Sequence, residues 1–140
     1  MPEEYLNRKV KNERELVTMT IQELYDSIGG SYESAKRIMQ MDKLIGKLIV
    51  KFLDEKSFAR LTEAWDARDA SGVFEGAHAM KGVCANLGLN GLSQQASDLA
   101  EEFRPGHARA MDDAEVNSRV AALKTDYDKT IEGIRAFSAQ

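Results

Sequence analysis

The chain has 140 residues, of which 43% are hydrophobic and 30% charged, and its formal net charge is −4. These values are typical of one soluble globular domain, and no apolar run approaches the roughly 18 to 20 residues that a membrane span requires. The acidic balance argues against nucleic acid as a partner, because phosphate backbones are bound by basic faces. A single cysteine excludes an internal disulfide and supplies no CxxC pair for zinc. The first residues lack the apolar centre of a signal peptide, so we expect a cytoplasmic protein.

Apolar residues recur along the chain at gaps of three and four, and glycine and proline punctuate only a few places, so the sequence predicts helices. Thr20 and Glu23 form a capping-box pattern that begins a short helix, and the double glycine after Ile28 ends it. We interpret residues 1–19 as an arm or a short extra helix. Residues 20–140 are predicted to form one domain.

Ser31 can cap a second, longer helix that continues to about residue 54. Its apolar residues form one predicted buried seam: Ile38, Met41, Ile45, Leu48 and Phe52. A shorter third helix shows the same spacing: Phe58, Leu61 and Trp65.

The segment "ARDASG" interrupts the pattern, with Asp69 or Ser71 as the N-cap of a fourth helix. The core face of that helix follows gaps of three and four: Val73, Ala77, Met80, Cys84 and Leu87. A fifth helix follows "LGLNG" and ends at Pro105, with inward residues Leu92, Ala96, Leu99 and Phe103. The last helix begins near Asp113, with an apolar stripe of Val116, Val120, Leu123, Tyr127, Ile134 and Phe137.

Helices with one apolar face each must bury those faces together, and the short connections favour antiparallel, up-and-down packing. The sequence therefore predicts an all-α fold, an antiparallel four-helix bundle with one or two additional short helices. The bundle helices are predicted near residues 31–54, 72–88, 91–103 and 112–138.

The stretch "AHAMKGVCANLG", residues 77–88, places a histidine, a lysine and a glycine within little more than one helical turn. At about 100° per residue, His78 lies roughly 140° from the centre of the core stripe, so it faces solvent. Gly82 lies on the same exposed side, where glycine costs about 1 kcal/mol relative to alanine. Close approach of a second macromolecule would explain it. Lys81 places a positive charge beside any phosphoryl group on the imidazole.

Other interpretations of these residues are less consistent with the pattern. A satisfied core histidine is disfavoured by the helical wheel, and an idle surface histidine is disfavoured by the neighbouring lysine and glycine. Cys84 is predicted to pack as a small hydrophobe. His107 is predicted to be a solvated loop residue, and Asp112 and Asp113 to begin the last helix, where carboxylates cap free amides.

The sequence has a histidine, His78, followed at the third and fourth positions by Lys81 and Gly82, and then "ANLG" at residues 85–88. In this pattern it resembles the histidine-containing phosphotransfer (HPt) domains of multistep phosphorelays. The flanking stretches "LYDSIGGSYE", "KFLDE" and "LSQQASDLAEEF" are similar to the same family, so the resemblance covers roughly residues 20–104. It implies that His78 takes a phosphoryl group from a receiver-domain aspartyl phosphate and passes it to another receiver aspartate. Lys81 would offset phosphoryl charge, and Gly82 would give the receiver clearance.

The resemblance also implies the partners, namely receiver domains of response regulators and of hybrid histidine kinases. Magnesium would belong to the receiver, and this chain would bind no cofactor or metal of its own. Phe74 and Ala85 are candidates for the apolar rim of the docking surface, although a packing role for Phe74 stays equally open. We expect a monomer without nucleic-acid or membrane partners.

Two further classes of function were considered. An autonomous kinase is disfavoured because the chain has no glycine-rich nucleotide loop. A helical adaptor that docks a histidine kinase or a receiver without carrying phosphate is the alternative. Against it stands the set of His78, Lys81 and Gly82, because an adaptor has no need of the histidine.

Overall fold

The computed structural model describes residues 19–140, and in this range all the regular secondary structure is helical, as predicted. It contains seven α-helices and one 3-10 turn: α1 Ile21–Ile28, α2 Tyr32–Met39, α3 Asp42–Lys51, the 3-10 turn Phe52–Asp54, α4 Ser57–Asp66, α5 Ala70–Asn86, α6 Asn90–Glu102 and α7 Asp113–Ser138. None of these helices combines the length and the apolar character needed to traverse a bilayer. The predicted arm, residues 1–19, lies outside the described residues except for Met19, and the predicted domain boundary stays a prediction.

Helices α4 to α7 form an antiparallel four-helix bundle. Short loops join α4 to α5 and α5 to α6, and contacts between α4 and α7 close the ring. The Phe58 and Tyr127 rings stack with centroids 4.3 Å apart, and Trp65 Nε1 donates to Asn117 Oδ1 at 2.7 Å. Phe58 comes before Trp65 along α4, whereas its partner Tyr127 comes after Asn117 along α7. These two helices are therefore antiparallel.

The remaining helices pack on this bundle and on one another. Helix α1 lies against α7, where Gly133 leaves room for Ile28. The buried Tyr25 hydroxyl donates to the Leu87 carbonyl at 2.6 Å and so ties α1 to the end of α5. Burial raises the pKa of Tyr25, so this hydroxyl stays protonated and able to donate.

The predicted caps are confirmed. Thr20 and Glu23 form a complete capping box, and Gly29 ends α1 in the left-handed region at φ 71°. Ser31 caps α2 by accepting a hydrogen bond from a backbone amide of the first turn. Of the two candidates for the N-cap of α5, the structure uses Asp69. Local chemistry therefore set these helix ends.

The prediction of one continuous helix over residues 31–54 is wrong. Gln40 adopts a left-handed φ of 66° and ends α2, and α3 begins two residues later. The Tyr32 hydroxyl and the Lys36 ammonium both bind the Asp42 carboxylate, the latter at 2.9 Å, and hold the elbow between the two helices. No glycine or proline marks this break, so the sequence pattern runs through it.

Because of the elbow, part of the predicted buried seam is exposed. Ile38 is 53% exposed and Met41 is 59% exposed, whereas Ile45 is fully buried. The break rotates α3 relative to α2, so residues that share one face of a continuous helix no longer share one side of the protein.

The assignment of segments to the bundle needs a second correction. The short helix predicted around Phe58 to Trp65 was expected to be attached to the bundle, but as α4 it is a member. Of residues 31–54, α3 and the 3-10 turn contact α7 and contribute buried Ile45, Ile49 and Phe52 to the same core, whereas α2 packs at its edge. The physical reason is the unusually close approach of α4 and α5, which small residues on both helices allow.

Candidate functional site

All five predicted site residues lie on α5, outside its fully buried core stripe. His78, Gly82 and Ala85 are exposed, and Phe74 and Lys81 are half-buried. The core stripe predicted for this helix is buried from end to end. The prediction that His78 faces solvent is therefore confirmed.

The opposite side of α5 is held tightly against α4. A Cβ atom added at Gly76 would lie 2.8 Å from the backbone nitrogen of Leu61, closer than real side chains come. One added at Gly72 would lie 2.8 Å from the Cβ atom of Ala64. Because the two backbones meet with no side chain between them, His78 is displayed on a helix with little freedom to shift.

The imidazole of His78 stacks on the ring of Phe74. The ring centroids are 5.5 Å apart and the planes differ by 18°. Among residues 19–140, the His78 side chain forms no hydrogen bond and no ion pair, and the polar contacts nearby join other residues. The stack is thus the contact that orients this side chain within the described part of the chain.

The other side of the imidazole is open. A Cβ atom at Gly82 would meet no atom within 4 Å, so no packing contact in the described chain explains the glycine. Ala85 is also exposed and small. One helical turn beyond His78, the surface therefore leaves room for another molecule.

Lys81 lies on the side of α5 that faces α6. The Lys81 carbonyl accepts a hydrogen bond from Ser93 Oγ at 3.0 Å, which ties α5 to α6. On α6, the hydrogen bond from Arg104 lowers the pKa of Glu101, and the nearby charges of Lys81 and His107 act in the same direction. The exposed carboxylate of Glu101 therefore pairs with Arg104 and lies within electrostatic range of Lys81.

The other residues singled out in the sequence are not part of this site. Cys84 is buried, and burial raises the pKa of its thiol to about 12, so it stays protonated as a packing residue. His107 is exposed in the loop after α6, as predicted. Asp112 caps α7 and Asp113 pairs with Arg68. Residues 19–140 hold no cluster of three or more His, Cys, Asp or Glu side chains suited to a metal ion.

Sequence reasoning missed two features of the site. The contact between Phe74 and His78 had a signal, because residues four apart on a helix are neighbours. The pairing of Glu101 with Arg104 has the same kind of local signal, at a spacing of three, but its proximity to Lys81 had none, because that depends on how α5 and α6 pack.

An exposed imidazole on a bundle helix, with open space beside it among the described residues, is suited to present a nucleophile to another molecule. Comparison with known families agrees, since the Hpt domain family matches residues 48–133, from within α3 through most of α7. The match covers more than half of the chain and all five site residues, and the chain belongs to the Hpt domain family. Neither curated proteins nor solved structures gave a match. Hpt domains are phosphotransfer modules of two-component systems, and they carry phosphoryl groups rather than act as kinases.

Proposed function

We propose that this Hpt domain is a phosphorelay intermediate. His78 accepts a phosphoryl group from a receiver-domain aspartyl phosphate and passes it to an aspartate of another receiver. The observation that carries the proposal is the exposed imidazole of His78 on α5, one turn from the open space at Gly82.

Each transfer exchanges one bond to phosphorus for another. An imidazole nitrogen attacks the phosphorus atom, the N–P bond forms, and the aspartyl O–P bond breaks as the carboxylate leaves with the electron pair. Onward transfer reverses these changes on a second carboxylate. Such reactions depend on in-line positioning and on neutralisation of phosphoryl charge, so a small bundle with one well-placed nucleophile suffices when the receiver brings the rest.

The neighbours of His78 have distinct roles in this proposal. The Lys81 ammonium offsets charge on the phosphoryl group. Gly82 lets the receiver surface reach the imidazole, and Ala85 continues that clearance as the apolar rim of the docking surface. The receiver supplies magnesium and its acidic pocket, and this chain needs no cofactor. Its partners are receivers of response regulators and of hybrid histidine kinases, and the relay operates in the cytoplasm.

Labelling from a phosphorylated receiver tests the proposal. We expect the wild-type chain to take up label that is lost in acid and stable in alkali. His78→Gln should take up no label while its helicity, measured by circular dichroism, stays unchanged. His107→Gln is the matched control, because His107 is the second of the two histidines and is exposed in a loop. It should label like the wild type.

Two results would contradict the proposal. Label that persists on His78→Gln would place the phosphoryl group elsewhere. A wild-type chain that takes no label from any receiver of the source organism, yet binds one stably, would favour the helical adaptor.

A further inference from the structure

We infer that Phe74 is a positioning residue, whose ring holds the imidazole of His78 in one orientation for phosphoryl transfer. The inference rests on the proposed function of His78. It gives Phe74 a part in the reaction instead of a place on the docking rim.

The two rings have the geometry of a stabilising aromatic pair. Their centroid distance of 5.5 Å and their angle of 18° fall within the range of offset stacking. Phe74 lies one turn before His78 on α5, and it is half-buried and packed against the core. The phenyl ring is therefore the fixed member of the pair, and the exposed imidazole rests on it.

The stack restrains the imidazole without blocking its chemistry. The lone pair that attacks phosphorus lies in the plane of the ring and points out from its edge, whereas Phe74 covers a face. The open space at Gly82 lies one turn in the opposite direction along the helix. A receiver can thus approach the ring edge while the phenyl ring supports the face.

An exposed side chain without such support exchanges rotamers on the picosecond to nanosecond timescale. Only a fraction of these conformers places a nitrogen in line with the aspartyl phosphate. The usual strength of an aromatic pair corresponds to a ratio of about 2- to 10-fold between the stacked and the unstacked conformers of the imidazole. Loss of the Phe74 ring should therefore lower the rate within the complex by about this factor.

A positioning role and a docking role differ in their kinetics. Loss of positioning lowers the transfer rate at saturating receiver and leaves the half-saturating concentration unchanged. Loss of a rim contact raises the half-saturating concentration and leaves the saturated rate unchanged. The two roles can therefore be separated by one concentration series.

The experiment measures single-turnover transfer from a phosphorylated receiver at increasing receiver concentration. Phe74→Leu removes the aromatic ring and keeps apolar volume, and Phe74→Tyr restores a ring. Phe137→Leu is the matched control, because Phe137 is another half-buried aromatic packed on the core, on α7. We expect a saturated rate about 2- to 10-fold lower for Phe74→Leu, and wild-type rates for the other two variants.

Proton NMR of the imidazole gives a readout that needs no phosphotransfer. The ring current of Phe74 should shift the His78 ring protons upfield, and the shift should vanish in Phe74→Leu and persist in Phe74→Tyr. The ring protons of His107 serve as the reference in the same spectra.

An unchanged saturated rate in Phe74→Leu, a change in half-saturating concentration alone, or unshifted His78 protons would each overturn the inference and leave the proposed function standing. A wild-type chain that takes no label while its His78 protons are shifted would overturn the proposed function, and the positioning role with it.

Discussion

Helix α5 carries two glycines that are there for different reasons. Gly76 lies against α4, where a Cβ atom would come within 2.8 Å of the Leu61 backbone, whereas a Cβ atom at Gly82 would meet no atom of residues 19–140 within 4 Å. Each costs a helix about 1 kcal/mol relative to alanine. At Gly76 the close packing of two helices offsets that cost within the chain. At Gly82 nothing in the described chain does so, which is why a partner outside it is the natural explanation.

The largest effect should come from filling the packed position. Gly76→Val would push α4 and α5 apart, and overpacking of this kind costs about 1 to 3 kcal/mol. Chemical denaturation monitored by circular dichroism measures the loss. Gly82→Val is the matched change on the open side, where a side chain meets no atom, and its stability should stay close to that of the wild type. Equal losses in the two variants would remove the distinction between the glycines.

A charged side chain at the open position should act on transfer instead of folding. Gly82→Glu places a bulky carboxylate between His78 and the acidic pocket of a receiver, and we expect phosphotransfer to slow about tenfold or more, or roughly 1.4 kcal/mol. Thermal unfolding should be nearly unchanged. Gly91→Glu is the control, because Gly91 is exposed on α6 and likewise has no atom within 4 Å of an added Cβ. A Gly82→Glu variant that transfers at the wild-type rate would refute the clearance role.

The stability of the fold should also depend on pH, because Cys84 lies on the buried side of α5. The folded chain keeps the Cys84 proton up to about pH 12, whereas the unfolded chain releases it near its ordinary pKa of about 8.5. Stability contributed by this thiol is therefore present below pH 8.5 and is lost as the pH rises, by about 1 kcal/mol per unit. Denaturation between pH 8 and 10 should show a steeper decline for the wild type than for Cys84→Ala. Parallel curves would mean that the thiol ionises freely in the folded chain.

The smallest effect is a gain in stability. Gly82→Ala adds a good helix former where there is open space, so it should raise the free energy of unfolding by about 0.5 to 1 kcal/mol. Transfer should slow less than in Gly82→Glu, because a methyl group intrudes less. A destabilised Gly82→Ala variant would show that this position has a packing role after all.

The parts of the fold that follow from local chemistry could be predicted from the sequence. The capping box at Thr20, the N-cap at Asp69 and the buried Cys84 each depend on neighbours within one or two turns. The elbow at Gln40 could not be predicted, because a glutamine seldom adopts a left-handed conformation and a glycine or proline was absent. The place of α4 in the bundle depends on helix packing that no single segment encodes.

The candidate site also combines features that could be predicted from the sequence with features that depend on helix packing. His78, Lys81 and Gly82 share one helix, so their spacing was enough to place them on one side of it. The stack of Phe74 on His78 also follows from helical spacing, once contact is sought between residues four apart. The carboxylate of Glu101 belongs to a different helix, and its proximity to Lys81 depends on the packing of α5 against α6.

The central claim is that His78 relays phosphoryl groups from one receiver to another. Its most direct test is a chase, in which the labelled chain is freed of the donor receiver and mixed with a second, unphosphorylated receiver. Label should leave His78 and appear on the aspartate of the second receiver. Label that stays on this chain with every receiver of the source organism, or leaves it only as inorganic phosphate, would contradict the relay.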